Sequence, residues 1–230
     1  FFLTVDYFNI RLYDRFSTPS AIPLTADDVE QLIAQGNPEA DNYRAIKYFA
    51  NDFDTATQGV DIVLNYRFDL ADVTNALTTS FNWTDTRVKR LSAFPQTQPD
   101  GEVLLVPSLT PQRVRMLEDN LPAVRITTTL KQHWQAWSML WRLKYYGAFY
   151  EDHVDAAAGM DIDGSSMITL DAELSWHYSE NLTLALGASN LFNTTPQINP
   201  YAEVVGALYP PTSPSGMNGG FWYLQSRYDF

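Results

Sequence analysis

The chain contains no cysteine. A disulfide scaffold, a thiolate metal site and a cysteine nucleophile are therefore excluded. Histidine is nearly as scarce: His133, His153 and His177 are the three present. None has a His or Cys partner at ligand spacing, so neither a metal site nor a cofactor is expected. Charged residues make up 18% of the chain, with 27 acids against 15 bases and a net charge of -12. Nucleic-acid binders present a basic patch, so no nucleic-acid partner is expected. No run of 18 apolar residues occurs. That excludes a transmembrane helix but not a β-barrel, whose strands alternate lipid-facing and lumen-facing residues. A basic leader with a cleavage site is also missing from the start, Phe1-Phe2-Leu3-Thr4-Val5. This opening reads as mid-strand, and the expectation is one part of a longer protein.

What the chain does have is aromatic residues and alternation. Phe, Tyr and Trp make up 14% of it, enough to supply the interface girdles of a membrane barrel. The final segment, Phe221 to Phe230, is the most informative. Trp222, Leu224, Ser226, Tyr228 and Phe230 fall on one side of a strand, and Tyr223, Gln225, Arg227 and Asp229 on the other. One face is apolar and aromatic, the other polar, over a length that suits one tilted crossing of a bilayer.

Eight such extended segments are predicted, at about 1–16, 44–67, 74–90, 110–134, 138–152, 167–178, 182–192 and 221–230. The sixth alternates most cleanly, with Ile168, Leu170, Ala172, Leu174 and Trp176 against Thr169, Asp171, Glu173, Ser175 and His177. The first changes phase between Leu3, Val5, Tyr7 and Phe8, Ile10, Leu12, which a bulge or an inward aromatic would explain. Thr25, Asp27, Asp28 and Gly36 mark a short loop helix by their capping chemistry, expected to pack on neighbouring loops. Connections alternate long and short along the whole chain. A soluble sandwich has no reason to sort its loops this way. An outer-membrane barrel does, with short periplasmic turns and long extracellular loops. Loops of about 25 residues and many inward charges fit an arc of a wide barrel better than a closed eight-stranded one, whose interior side chains must fill.

Enzymatic constellations are weak. Asp171 and Glu173 share a face at roughly 6.6 Å along the strand, which suits a glycosidase pair by distance but is ordinary for a polar lumen. Asp161-Ile162-Asp163-Gly164, with Asp155 nearby, lacks the remaining ligands of a calcium loop and reads as a solvated acidic turn. His177 reads as lumen-lining. Tyr43, Trp83, Phe94, Tyr201 and Tyr209 sit in or beside long connections. Of these, Tyr43, Phe94, Tyr201 and Tyr209 are the candidate ligand-binding residues, by sugar stacking or cation–π contact. Loop packing or a place in the interface girdle is the simpler explanation for any one of them.

Four segments also match one family. Asn51 to Ile62, with Thr57-Gln58-Gly59-Val60-Asp61 at its centre, resembles a strand of TonB-dependent outer-membrane receptors. Gly187-Ala188-Ser189-Asn190-Leu191-Phe192-Asn193 is similar to their penultimate strand, and Gly220 to Phe230 to their last. Val5-Asp6-Tyr7-Phe8 with Asp14-Arg15 resembles another strand, and the four occur in the family's order. The resemblance implies an all-β fold: residues 1–230 would be the last eight strands of a 22-stranded barrel, the plug and earlier strands lying elsewhere. It further implies active uptake of a scarce nutrient (an iron-siderophore, cobalamin or oligosaccharide) in the outer membrane of a Gram-negative bacterium, and no enzyme activity. The implied partners are outer-membrane lipid, an extracellular nutrient and the TonB complex, the last through an N-terminal region absent from this chain. Tyr228 and Phe230 would be the assembly signal read by the barrel assembly machinery. From the residues alone, a soluble β-sandwich carbohydrate-binding module and a passive outer-membrane porin stay open as alternatives.

Overall fold

A computed structural model describes residues 1–17, 21–47, 49–97, 101–152 and 159–230. Eight strands form one sheet: β1 (Phe2–Ser17), β2 (Ala50–Leu70), β3 (Val73–Leu91), β4 (Val124–Trp134), β5 (Trp137–Tyr146), β6 (Met167–His177), β7 (Leu182–Ser189) and β8 (Phe221–Tyr228). Each lies beside its neighbours in sequence, β1 through β8 in order, with β1 and β8 at the two edges. This is a single open meander, neither a closed eight-stranded barrel nor two packed sheets, and it sets aside the β-sandwich. No described helix is long and apolar enough to cross a membrane.

The connections sort as expected. Ala71-Asp72 and Gln135-Ala136 are two-residue turns, and Tyr178 to Asn181 make the third short connection. Ala71 and Gln135 take positive φ, 51° and 50°, the left-handed conformation that a two-residue hairpin needs to match strand twist. The opposite end carries the long connections. These hold α1 (Ala26–Ala34), α2 (Pro111–Asp119), α3 (Ala202–Val205) and three short two-stranded pairings.

Several boundaries differ from the sequence reading. Residues 111–119 form α2 rather than the start of the fourth strand. The Thr110 hydroxyl accepts from the Arg113 backbone N–H, and Pro111 takes the first helical position. The fifth strand stops at Tyr146, and Phe149–Asp152 pairs instead with Asp161–Gly164. The predicted acidic turn at Asp161 is therefore a strand. The polar stretch after residue 91 holds a hairpin, Ala93–Thr97 with Val103–Pro107. Helix α1 is capped as predicted, the Thr25 hydroxyl and Asp28 forming a reciprocal capping box. It buries no residue fully; Val29 and Leu32 are half-buried and Ile33 is exposed.

The chain divides into two compact units. The first comprises Phe1–Asn9, Gln58–Asp85 and Asp119–Phe230; the second comprises Ile10–Thr57 and Thr86–Glu118.

In the first unit the two faces of the sheet are chemically opposite. Across β4 and β5, the rows Ile126–Tyr145, Thr128–Leu143, Leu130–Trp141, Gln132–Met139 and Trp134–Trp137 carry no charge. The same face continues through Leu170, Leu174, Trp176, Leu186 and Leu224. These side chains are solvent-accessible, Leu186 at 52% and Leu224 at 80%, and burial within the protein cannot account for them. Aromatics collect on this face at the short-turn end. Trp137 stacks on Trp176 at 5.7 Å, Trp176 meets Tyr178 edge-on at 5.1 Å, and Tyr66 stacks on Phe68 at 5.3 Å. Tyr228 and Phe230 meet at 5.1 Å on the same alternation. This is the pattern of an interfacial girdle.

Candidate functional site

The other face of the first unit is a polar wall. Asp171 accepts from Lys144 Nζ at 2.7 Å, from the Asn190 backbone N–H at 2.9 Å and from Ser189 Oγ at 3.2 Å. Glu173 accepts from the Tyr223 hydroxyl at 2.5 Å and from Ser175 Oγ at 3.3 Å. Both carboxylates are held by named partners, so the two-carboxylate pair considered from the sequence is a structural lattice rather than an acid and a nucleophile. Farther along the sheet Asn82 donates to Asp61 at 2.7 Å and Thr78 to Asn65 at 2.8 Å. These bonds lock strand register through side chains as well as backbone.

Two glycines let aromatic rings lie flat on this wall. A Cβ on Gly187 would strike the Tyr223 ring, and one on Gly59 would strike Phe8. Phe8 is thus the inward aromatic anticipated in β1. Asp14, farther along the strand, takes a positive φ of 49°.

Two of the three histidines meet here, although 44 positions separate them in sequence. His133 Nδ1 and His177 Nε2 each hydrogen-bond Ser138 Oγ at 2.9 Å, and His177 Nδ1 hydrogen-bonds Thr183 Oγ1 at 3.2 Å. His133, Ser138, Lys131, Thr74, Glu173 and Ser175 line a cavity of about 370 Å³ on this wall. No group of three or more metal-ligating side chains occurs among the described residues. His153 and Asp155 lie outside the described residues.

At the long-loop end of this unit a pinned loop cluster closes over the strand tops. Tyr150 is 1% exposed, and its hydroxyl donates to Asp161 Oδ2 at 3.4 Å. The buried Glu151 carboxylate accepts from both the backbone N–H and the hydroxyl of Thr212. Asn120 Nδ2 donates to the Tyr150 carbonyl at 3.0 Å and to Thr212 Oγ1 at 3.1 Å. The last long loop is held at three more points: Asn190 with Thr194, Asn193 with the Gly220 N–H at 2.8 Å, and Asn199 with Tyr201 and Ala207. Between this loop and the tops of β5 and β6 lies a cavity of about 570 Å³, lined by Tyr145, Phe149, Ser165, Thr195, Gln197 and Ser215 among others.

The four candidate ligand residues are not assembled into one site. Tyr201 caps α3 and Tyr209 precedes the buried Pro210; both are half-buried in the first unit and neither lines a cavity described above. Tyr43, 58% exposed, follows the turn Ala40–Asn42 in the second unit, and Phe94 is half-buried in that unit's hairpin. The hydroxyl- and amide-rich lining around Ser165, Gln197 and Ser215 was passed over in the sequence. Its signal was the density of Ser, Thr and Pro in the last long loop.

In the second unit Arg90 bridges two acids, Asp54 at 2.8 Å and Asp14 at 2.6 Å, and the Asp14 backbone N–H donates to Asp54 at 2.8 Å. Asp54 lies farther from the Ala71-Asp72 turn than the roughly 9–11 residues that a single bilayer crossing would take. The hydrogen bond from Arg90, seconded by the Asp14 N–H, holds its carboxyl below the usual carboxylate range. Arg15 stacks 5.0 Å over the Phe53 ring and donates to Thr55.

No family model matches the chain, and no curated protein does. Its fold is nevertheless shared with solved outer-membrane proteins. The outer membrane transporter YddB from Escherichia coli superposes with a TM-score of 0.55 at 13% identity, over 99% of this chain and 30% of that one. The FrpB iron transporter from Neisseria meningitidis gives 0.57 at 15% identity, over 99% and 29%. The ferripyoverdine receptor of the outer membrane of Pseudomonas aeruginosa gives 0.54 at 10% identity, over 99% and 25%. The chain spans between a quarter and a third of the length of these structures. It has the fold of an arc of an outer-membrane receptor barrel.

Proposed function

We propose that the chain is the C-terminal part of the barrel wall of a TonB-dependent receptor, which takes up a scarce nutrient across the outer membrane of a Gram-negative bacterium. The observation that carries this is the two-faced sheet. An exposed apolar face with aromatics at one rim backs onto a continuous hydrogen-bonded polar wall, with long loops at one end and tight turns at the other. Lipid suits the first face and a water-filled or plugged lumen the second. The open edges of β1 and β8 support an arc rather than a finished barrel, because unpaired strand edges are not tolerated in lipid. The sheet would be completed by strands outside this chain, with the plug and the TonB contact also there.

Among nutrients, an iron-siderophore is favoured over cobalamin or an oligosaccharide, because two of the proteins sharing the fold are named for iron or ferripyoverdine. The reading assigns transport and not catalysis. A passive porin shares the wall but needs no energy. Uptake of iron complexes by cells carrying the full-length protein, with and without TonB, separates the two. Uptake that stops when TonB is deleted supports the receptor; uptake that continues unchanged overturns it.

A further inference from the structure

Five successive pairs along β4 and β5 face the polar side: Arg125–Tyr146, Thr127–Lys144, Thr129–Arg142, Lys131–Leu140 and His133–Ser138. Each pair contributes one basic side chain, and none contributes an acid. Successive pairs lie two residues apart, about 7 Å, so the series runs about 27 Å from the loop end to the short-turn end. It occurs in a chain of net charge -12, where chance would favour acids.

Three neighbouring acids offset part of its charge, but none forms an ion pair with Arg125, Lys131 or Arg142. Asp171 faces Arg142 in register on β6, but its oxygens are held by Lys144, Ser189 and Asn190. Glu173 lies beyond Leu140 from Lys131 and is engaged by Tyr223 and Ser175. Asp61 is separated from Arg125 by Asn82, which donates to it. Arg142 donates through Nε to the neutral Thr129 hydroxyl at 3.3 Å. Among the described residues, Arg125, Lys131 and Arg142 form no ion pair, whereas Lys144 does. His133 extends the line to the His133–Ser138–His177 contact beside the smaller cavity.

We propose that this line is a basic track for an anionic solute, and that the transported nutrient carries net negative charge. The inference rests on the reading of this face as a lumen wall. Rows of Arg and Lys are how pores favour anions. Arg142 and Lys131 stand in successive rows, about 7 Å apart and within the roughly 8 Å Debye length at physiological salt, whereas Arg125 stands two rows, about 14 Å, from Arg142, so a solute feels the lower pair together and Arg125 more weakly. Three cations outside ion pairs, partly offset by the nearby acids, give weak attraction spread along the wall rather than one trapping site, which suits passage.

The test uses full-length protein purified from outer membranes in detergent, with pyrene tetrasulfonate, a tetra-anion, as the fluorescent probe and the neutral trisaccharide raffinose as the competitor. The probe is expected to bind, and raffinose not to displace it. Affinity should fall steeply as salt rises from about 0.05 to 0.5 M, where screening tightens. The triple variant R125Q/K131Q/R142Q should bind about tenfold more weakly, as expected for losing three contacts of about 0.5 kcal/mol each. R125K/R142K, which keeps the charges, should bind as the parent does. Heat-modifiable migration and outer-membrane fractionation of every variant check the barrel independently. A folded outer-membrane barrel that does not bind the probe, or whose triple variant binds it equally well, overturns the track while leaving the transporter reading intact. A protein that fractionates away from the outer membrane overturns both.

Discussion

The phenol of Tyr223 crosses the bare backbone of Gly187 and donates to Glu173 at 2.5 Å, so residues on β6, β7 and β8 are tied in one cross-strand row. Glycine in a strand is normally a weakness, and an aromatic ring from the next strand compensates by covering it. Gly187→Ala should displace the ring and cost about 1–3 kcal/mol, as overpacking does. Tyr223→Phe keeps the ring but loses the hydroxyl, and should cost about 1 kcal/mol. Denaturant midpoints of the refolded full-length barrel measure both. Equal, negligible losses would show that the row does not contribute.

The two faces of the sheet should tolerate charge very differently. Leu174→Arg on the apolar face should cost about 2–4 kcal/mol near the bilayer midplane. Gln225→Arg on the polar face of β8 should leave stability within about 0.5 kcal/mol, as ordinary surface changes do. Reversal of that order would put the apolar face inside.

At Gln135 the chain turns with φ of 50° on a residue that carries a Cβ. The left-handed conformation costs an L-residue roughly 1–2 kcal/mol, and glycine pays none of it. Part of the gain is returned through the greater freedom of glycine in the unfolded chain. Gln135→Gly should therefore stabilise the β4–β5 hairpin by about 1 kcal/mol. Unfolding midpoints of the single variant check this, with Ala71→Gly, φ 51°, as the second instance.

Acid should loosen the ion-paired group of the second unit. The Asp54 carboxyl is held below its usual 3.8 by Arg90 and the Asp14 N–H. Its stabilising contribution is complete above that unfolded value and is lost as pH falls through the lower folded value. Hydrogen-exchange protection factors over residues 50–57 and 86–91, corrected for the intrinsic pH dependence of amide exchange, should therefore be unchanged from pH 7 to 5 and should fall below about pH 4. Asp54→Asn should abolish that pH step. A step that persists in the variant would assign it to another group.

The alternation of β6 and β8 was legible because side chains in a strand repeat every two residues and lipid demands that one set be apolar. Loop sorting was legible because the two ends of an outer-membrane barrel carry connections of different length. Helix α2 was not. Val114 and Met116 alternate with Arg113 and Arg115 and mimic a strand, and Thr110-Pro111 was the outweighed helix-start signal. The meeting of His133 and His177 at Ser138 could not be read, because cross-strand register leaves no spacing rule in the sequence. The ligand guesses Tyr43, Phe94, Tyr201 and Tyr209 relied on residue type alone, and the fold distributes them over two units.

We propose that Tyr228 and Phe230 serve assembly rather than ligand binding. Both sit on the apolar alternation beside the Asn181 turn, where Asn181 Nδ2 donates to the Asp229 carbonyl at 2.8 Å. Deleting Phe230 from the full-length protein should lower the amount of heat-modifiable barrel in the outer membrane and leave ligand affinity of the assembled fraction unchanged. Normal assembly with weakened binding would contradict the assignment.

The membrane-wall reading meets its most direct test in a cysteine scan of β6. These 230 residues contain no cysteine, so single cysteines placed from Met167 to His177 can be spin-labelled one at a time in a full-length protein in which every cysteine outside these residues has been replaced by serine. Labels at positions 168, 170, 172, 174 and 176 should collide with oxygen dissolved in lipid. Labels at 169, 171, 173, 175 and 177 should be shielded from it. That two-residue period, measured in native outer-membrane vesicles, is the result expected of a barrel wall. Equal access of a water-soluble relaxant to every position, or the opposite phase, would contradict it.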